Sequence, residues 1–340
     1  MHKRIVISGY YGFDNFGDEA ILSVLVNRLK NFGFEIVVLS SNPRKTSMNY
    51  FVNSIKSFDF FQVAGLLKQS NILISGGGSL LQDVTSLKSL VYYLWVIATA
   101  LRYKKKVIIF AQGIGPIKNK IAEFFTLKIL KKCDYVSVRD QKSCEFLKNA
   151  GVNAHLLCDP IFSSDLELSD SKGVIGVQLR DFSTMNDTLL LKLARQIIKD
   201  FFDKKIEIYS LQDSADLSVC VKFEKILKSL KPDINAEVIH GLTVEQVISS
   251  ISSLEYMIAM RFHALVTAMK AGVKSVAVNY DIKVEKLANE AGIPLISMDA
   301  SEDFDIVFDE LKQLNGSKLK EFADSKKFDW SGIDEVLKSN

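Results

Sequence analysis

The chain has 340 residues, 48% of them apolar. That is enough for about two domains with sizeable cores and excludes wholesale disorder. Forty-three basic residues against 40 acidic ones give a net charge of +3, too balanced to indicate nucleic acid as a partner. Cys133, Cys144, Cys158 and Cys220 show no CxxC spacing and read as free thiols of a reducing compartment.

Residues 4–8 (RIVIS) are a β-branched run of strand length, and the N-terminus reads as this first strand rather than as a secretory signal. The loop GYYGFDNFGD at 9–18 follows, then a helix over about 18–31. Asp18 and Glu19 suit the positive first turn of that helix. A strand, a glycine-bearing loop and a helix open a doubly wound fold. The glycines at 9, 12 and 17 do not match GxGxxG, however, and the acidic pair disfavours a pyrophosphate there.

The pattern then repeats. Strands are predicted at 35–40 and 71–75, the second opening onto Gly76-Gly77-Gly78-Ser79. Three glycines let backbone N–H groups approach a ligand, or simply form a tight strand-to-helix turn. A helix over 87–102, a strand at 106–110 ending in AQGIGP, and a helix over 119–132 come next. A strand at 134–138 ends in Arg139-Asp140, a helix from 141 stops at Gly151, and a short strand spans 154–157. The apolar run LVYYLWVIATAL at 90–101 is too short to cross a bilayer of about 30 Å. With Arg102, Lys104, Lys105 and Lys106 behind it, the run reads as a buried helix entering a basic loop, or else as a membrane-surface patch.

Asp159-Pro160 and the polar stretch at 163–172 mark a domain boundary. The first domain is thus 1–165, the second 172–316, with C-terminal helices at 317–340 expected to pack back on the first. The second domain begins with GVIGVQL at 173–179, ending in Arg180. Helices at 186–202 and 217–230 alternate with strands at 206–211 and 236–240, and Thr243 caps a short helix to 250. Helix 284–291, strand 295–298 and helices at 301–314 and 317–327 close the series. Two such series predict an α/β chain of two Rossmann-like domains facing each other across a cleft.

The stretch at 257–283 (MIAMRFHALVTAMKAGVKSVAVNYDIK) carries most of the chemistry. A buried strand at 256–260 ends in Arg261, Phe262 and His263, a helix runs from Ala264 to Gly272, and Lys283 lies just past the next strand at 274–279. Ligands of open α/β sheets bind beyond the carboxyl ends of strands, at helix N-termini. Arg261, His263 and Lys283 are therefore expected at one mouth, with Arg261 and His263 on the same side of extended chain. Arg139 and Arg180 are further strand-end cations. No carboxylate pair, metal-ligand cluster or nucleophile elbow stands at comparable positions. Asp159 and Asp281 are singles of the cap or turn kind, and His155 and His240 read as structural. The second domain thus looks like a receptor for phosphate or carboxylate, with an imidazole, His263, able to exchange protons near neutral pH. The first domain offers Gly, Asn, Asp and Tyr side chains of the kind that hydrogen-bond sugar hydroxyls.

Six blocks, spread in order over nearly the whole chain, carry a resemblance. They are ISGYYGFDNFGDEAIL at 7–22, ISGGGSLLQD at 74–83, AQGIGPI at 111–117, SVRD at 137–140, MRFHALVTAMKAGV at 260–273 and VNYDIKVEKL at 278–287. As a set they resemble the polysaccharide pyruvyl transferase family, most closely its CsaB-type members. The resemblance implies a GT-B-like fold and transfer of pyruvate from phosphoenolpyruvate (PEP) to a sugar as a 4,6-ketal. For CsaB-type members the sugar is ManNAc on a lipid-linked precursor of secondary cell-wall polysaccharide, whose product is the ligand of S-layer homology domains. By the same resemblance His263 of the RxH motif is the general acid or base. Arg139 of SVRD steadies the carboxylate or the departing phosphate, and Lys283 is the lysine after the next strand. Asn15, Gly17 and Asp18, with Gly77 and Gly78, face the acceptor, and Asp18 is the candidate to orient its hydroxyls.

PEP carries a phosphate and a carboxylate, which suits Arg139, Arg180, Arg261 and Lys283 as ligands. No metal or cofactor is called for beyond PEP as co-substrate. The expected partners are PEP and a lipid-linked disaccharide, with no nucleic acid. The expected location is the cytoplasm, with peripheral contact at the inner membrane face. The competing reading is a GT-B nucleotide-sugar glycosyltransferase, which wants a ribose-binding carboxylate late in the second domain, where Glu285 and Glu290 stand.

Overall fold

The computed structural model describes residues 3–164, 171, 173–182 and 185–339. It divides into two compact units, Met1–Ser164 with Lys327–Asn340, and Asp165–Lys326. The polar stretch read as the boundary falls largely outside the described residues.

Unit 1 opens with β1 (Arg4–Ser8), α1 (Phe16–Lys30), β2 (Glu35–Ser40), α2 (Pro43–Tyr50), β3 (Asn53–Lys56), α3 (Phe60–Gln69), β4 (Ile72–Ser75) and β5 (Gly78–Leu81). It continues with α4 (Leu87–Arg102), β6 (Lys106–Ile114), α5 (Lys120–Leu130), β7 (Tyr135–Val138), α6 (Gln141–Asn149) and β8 (His155–Leu156). The sheet is parallel, in the order β3-β2-β1-β4-β6-β7-β8, with β5 added on β6. Its central strands are buried on both faces, as parallel strands covered by helices must be. One face packs under α3, α4, α5 and α6 through Val63, Leu67, Leu90, Ile97, Leu130 and Leu147. The other packs under α1 through Ile21, Leu22 and Leu25, together with Phe328, Ile333 and Leu337 from the end of the chain.

Residues 41–70, for which the sequence pattern predicts no element, hold α2, β3 and α3. Their start signals are local: Asn42 caps α2 ahead of Pro43, and Asp59 caps α3. Strand β6 also runs past its predicted end. A bulge lies between Ile109 and Gln112, with Ala111 at φ +45° and its N–H held by Ser137 Oγ at 3.0 Å. The Gln112 side chain then reaches the Ser75 Oγ at 2.8 Å and the Gly76 carbonyl at 2.9 Å.

Unit 2 contains β9 (Ile175–Gln178), α7 (Asp187–Phe201), β10 (Ile206–Tyr209), α8 (Asp213–Leu230), β11 (Ala236–Ile239), α9 (Val244–Ser252) and β12 (Tyr256–Ala259). It then adds α10 (Phe262–Lys270), β13 (Lys274–Asn279), α11 (Ile282–Ala291), β14 (Leu295–Ser297), α12 (Phe304–Gln313) and α13 (Gly316–Ser325). The parallel order is β11-β10-β9-β12-β13-β14, so each unit repeats the doubly wound strand order with its reversal beside its first strand. Thr243 and Gln246 form a full capping box on α9.

The C-terminal helices do not share one home. Helix α13 belongs to unit 2, because Gly272 past α10 and Gly316 at the start of α13 cross backbone to backbone. A Cβ on Gly316 would lie 2.2 Å from the Gly272 carbonyl oxygen. Helix α14 (Ser331–Lys338) belongs to unit 1, where Trp330 stacks on Phe110 at 5.5 Å and Asp334 pairs with Arg28. The boundary therefore falls between Lys326 and Lys327 rather than at residue 316.

Candidate active site

In unit 2 the strand order reverses between β9 and β12, which run in register and end at Gln178 and Ala259. The chain leaves β9 through Arg180 and β12 through Arg261, and the two exits are tied together. The Arg261 N–H donates to Gln178 Oε1 at 2.8 Å, and the Arg180 N–H to Met260 Sδ at 3.1 Å.

The sequence expectation for Arg261 needs correcting. Its guanidinium is turned inward onto Asp216 of α8, with Nε 2.7 Å from Oδ2 and Nη2 2.6 Å from Oδ1, and Nη2 also meets Gln212 Oε1 at 3.1 Å. Asp216 is fully buried and also accepts from the Leu211 and Gln212 N–H groups and from Gln178 Nε2. A bidentate carboxylate neutralises this arginine, so Arg261 braces the mouth instead of offering its charge to it. Nor do Arg261 and His263 share one side of an extended chain. Helix α10 starts at Phe262, so Arg261 is its N-cap and His263 already lies in its first turn.

What the mouth does offer is a helix N-terminus whose N-cap residue, Arg261, makes no side-chain cap hydrogen bond, with His263 half-buried there and edge-on to the Phe262 ring. Backbone N–H groups and the helix dipole favour an anion at such a point. Arg180 is half-buried beside it, its Nη1 3.5 Å from the Tyr280 hydroxyl and its guanidinium 5.7 Å from that ring. The Arg180 Nε is buried and has no hydrogen-bond partner among the described residues. Tyr280 follows β13, and Asp281 caps α11 by accepting the Lys283 N–H at 2.8 Å, which leaves Lys283 exposed in that helix's first turn.

In unit 1 the reversal lies between β1 and β4. Asn15 caps α1, its Oδ1 accepting the Gly17 N–H at 3.1 Å, and Gly17 is buried in the first turn. Asp18 is half-buried one residue on. Gly77 and Gly78 owe their lack of side chains to α1. A Cβ on Gly77 would lie 2.8 Å from Ile21 Cγ2, and one on Gly78 would lie 2.5 Å from Asp18 Oδ1, at a φ of +91°. The glycine run is not the expected strand-to-helix turn: it joins β4 to β5, with α4 starting only at Leu87, and its lack of side chains makes room for Ile21 and Asp18 of α1. Burial, with the Asp18 charge second, pushes the Tyr10 and Tyr11 hydroxyls up from their ordinary pKa. Tyr10 stacks flat on Phe13, centroids 4.1 Å apart and planes 6° apart. Glu19, not anticipated, is buried and ties the loop down, accepting from the Gly12 N–H at 2.7 Å and the Tyr50 hydroxyl at 2.6 Å.

Arg139 leaves β7 and pairs with Asp159, the two side chains 10% and 4% exposed. Its Nη2 donates to Ser79 Oγ at 3.3 Å, and its Nε is buried with no hydrogen-bond partner among the described residues. Like Arg261 it has a carboxylate of its own, which single-residue reading could not supply. The missed partners, Asp216, Gln178, Asp159 and Ser79, lie 45, 83, 20 and 60 residues from their arginines.

Two doubly wound α/β units make this a chain of paired Rossmann-like folds, and open α/β sheets bind ligands beyond the strand ends at such strand-order reversals. Solved structures share this architecture. The UDP-GlcNAc 2-epimerase of Methanocaldococcus jannaschii aligns at 10% identity and a TM-score of 0.64, over 100% of both chains. The UDP-GlcNAc 2-epimerase of Neisseria meningitidis bound to UDP-GlcNAc aligns at 9% and 0.63, and HepE of Anabaena in complex with UDP and glucose at 10% and 0.62, each over 100% of both chains. Such identities establish a common GT-B-like fold only. No curated protein matches the sequence. The profile of the polysaccharide pyruvyl transferase family matches residues 15–282, and the chain belongs to that family: it is an enzyme that transfers pyruvate. No helix among the described residues is long and apolar enough to cross a membrane.

Proposed function

We propose that the pyruvyl donor is PEP, bound at the unit 2 mouth, and that the acceptor is a ManNAc residue of a lipid-linked cell-wall polysaccharide precursor, as in CsaB-type enzymes. The observation that carries the donor assignment is the N-terminus of α10, whose N-cap residue makes no side-chain cap hydrogen bond, with Arg180 beside it. Among the described residues no carboxylate offsets that arginine. A small dianion meets there a guanidinium, a helix dipole and, from the first turn of α11, Lys283.

In this reading His263 acts as the proton-transfer group. A proton adds to C3 of PEP, C2 takes on oxocarbenium character, and one sugar hydroxyl adds to it. The C2–O bond to phosphate then breaks, and the second hydroxyl closes the ring. One hydroxyl proton balances the new methyl group and the other leaves with phosphate or solvent. Unit 1 supplies Asp18 to orient the acceptor hydroxyls. The flat Tyr10–Phe13 pair supports a sugar face beside it. Arg139 serves the carboxylate or the leaving phosphate, and Arg261 acts as a positioning residue. The test is incubation with PEP and a synthetic ManNAc-containing diphospholipid, followed by mass spectrometry. Addition of one pyruvate with equimolar phosphate supports the proposal. Turnover of a UDP-sugar, with PEP untouched, rejects it.

A further inference from the structure

The outer surface of α3, α4 and α5 is unusual for a solvent face. These helices lie side by side on one face of the unit 1 sheet and share one core. Phe61 is 94% exposed, Ile121 70% and Phe124 60%, and Phe58, Val91 and Phe125 are each at least half exposed. They form spaced rows rather than scattered accidents. On α5, Ile121, Phe124, Phe125 and Lys128 fall at intervals of three and four, so they share the helix face opposite the buried Ala122, Thr126 and Leu130. On α3 and α4, Phe60 is packed edge-on against Trp95 at 4.8 Å, which holds the neighbouring Phe61 outward. Single exposed apolar residues need no explanation, but a set spread over adjoining helices does.

The charge on the same elements is one-sided. Segments 56–69, 84–106 and 118–132 carry 12 Lys or Arg and two acidic residues, whereas the rest of the chain has an acidic excess. Lys68, Lys88, Lys118, Lys120 and Lys128 are exposed around the aromatic rows, and Lys128 reaches over the Phe124 ring at 5.8 Å. The basic loop after α4 contributes less than its sequence suggests, since Lys106 is paired with Asp134.

We propose that this face docks unit 1 on an anionic lipid surface, the aromatic rings entering the headgroup boundary and the lysines meeting lipid phosphates. Charge complementarity selects this occupant: a neutral or basic protein partner would leave the exposed lysines around the aromatic rows unmatched, and a second copy of this face would oppose like charge to like. Aromatic side chains anchored among lysines are the composition that lies in a bilayer interface, and each lysine there adds to the attraction of acidic lipid. None of the residues assigned above to donor or acceptor belongs to this surface.

The experiment is co-sedimentation of the full chain with vesicles of phosphatidylcholine alone or mixed with phosphatidylglycerol, without PEP or acceptor. The protein is expected to pellet with the mixed vesicles and to release on raising salt. A Phe61→Ser/Phe124→Ser/Phe125→Ser variant and a Lys88→Glu/Lys120→Glu/Lys128→Glu variant should each lose at least tenfold in partitioning while melting at the wild-type temperature. Wild-type protein that stays in the supernatant overturns the proposal, as does equal partitioning of both variants. So does concentration-dependent dimerisation abolished by the phenylalanine changes without vesicle binding.

Discussion

Asp216 grips the Arg261 guanidinium at two points, 2.7 and 2.6 Å, in a pair from which water is almost wholly excluded. A buried pair of this kind is costly to break from one side, by about 3–5 kcal/mol, because it leaves a charge stranded. Asp216→Ala should therefore lower unfolding stability by about that amount in urea titration. An Asp216→Leu/Arg261→Met double variant should recover part of the loss, and a loss below about 1 kcal/mol for the single change would show that the pair does not brace the mouth.

His263 bears the proton-transfer assignment. His263→Ala should reduce turnover by about 10²–10⁴-fold with little change in melting, since the ring is only half-buried. Turnover within a few-fold of wild type would remove the role.

Arg139 presents a harder case, because the change that removes its charge also removes the partner of a carboxylate 4% exposed. Arg139→Ala alone should lose both activity and stability. Arg139→Ala in an Asp159→Asn background should regain stability without regaining transfer. Full activity in that double variant would make Arg139 purely structural.

Gly78→Ala should destabilise the chain by about 1–3 kcal/mol, since a φ of +91° is strained for alanine. It should also raise the acceptor KM by displacing Asp18, whose oxygen occupies the space a Cβ would take. Unchanged stability with weakened PEP binding would mean that the glycine instead makes room for the donor.

Glu19 sets a pH dependence of stability. Burial raises its carboxyl above the ordinary 4.5, outweighing the Tyr50 and Gly12 hydrogen bonds. The folded chain then holds this proton to higher pH than the unfolded chain does, so its contribution is lost as pH rises through the window that begins at about 4.5. The stability of Glu19→Gln relative to wild type should rise across that window and then level. A flat difference would contradict the burial account.

Sequence and structure diverge for a common reason. Helix α4 and strands β1, β2 and β13 were legible to the residue, because hydrophobic period and length decide them locally. The polar helix α2 and the short strand β3 lack that period and are held by their caps and by the neighbouring strand β2. The candidate residues were legible as residue types, Arg180 past a strand end and His263 near a helix start. Their charge state was not, because neutralisation of Arg261 by Asp216 and of Arg139 by Asp159 depends on contacts between distant segments. Gly77 and Gly78 teach the same lesson: a glycine run suited to ligand approach is spent on the approach of Ile21 and Asp18.

The central claim, that the unit 2 mouth binds PEP, is tested most directly by calorimetric titration of PEP into wild type, Arg180→Ala and Asp18→Ala. The account predicts one PEP per chain, a loss of affinity of at least tenfold in Arg180→Ala, and unaltered affinity in Asp18→Ala. Absence of heat with wild type, or equal PEP affinity in Arg180→Ala, would contradict it.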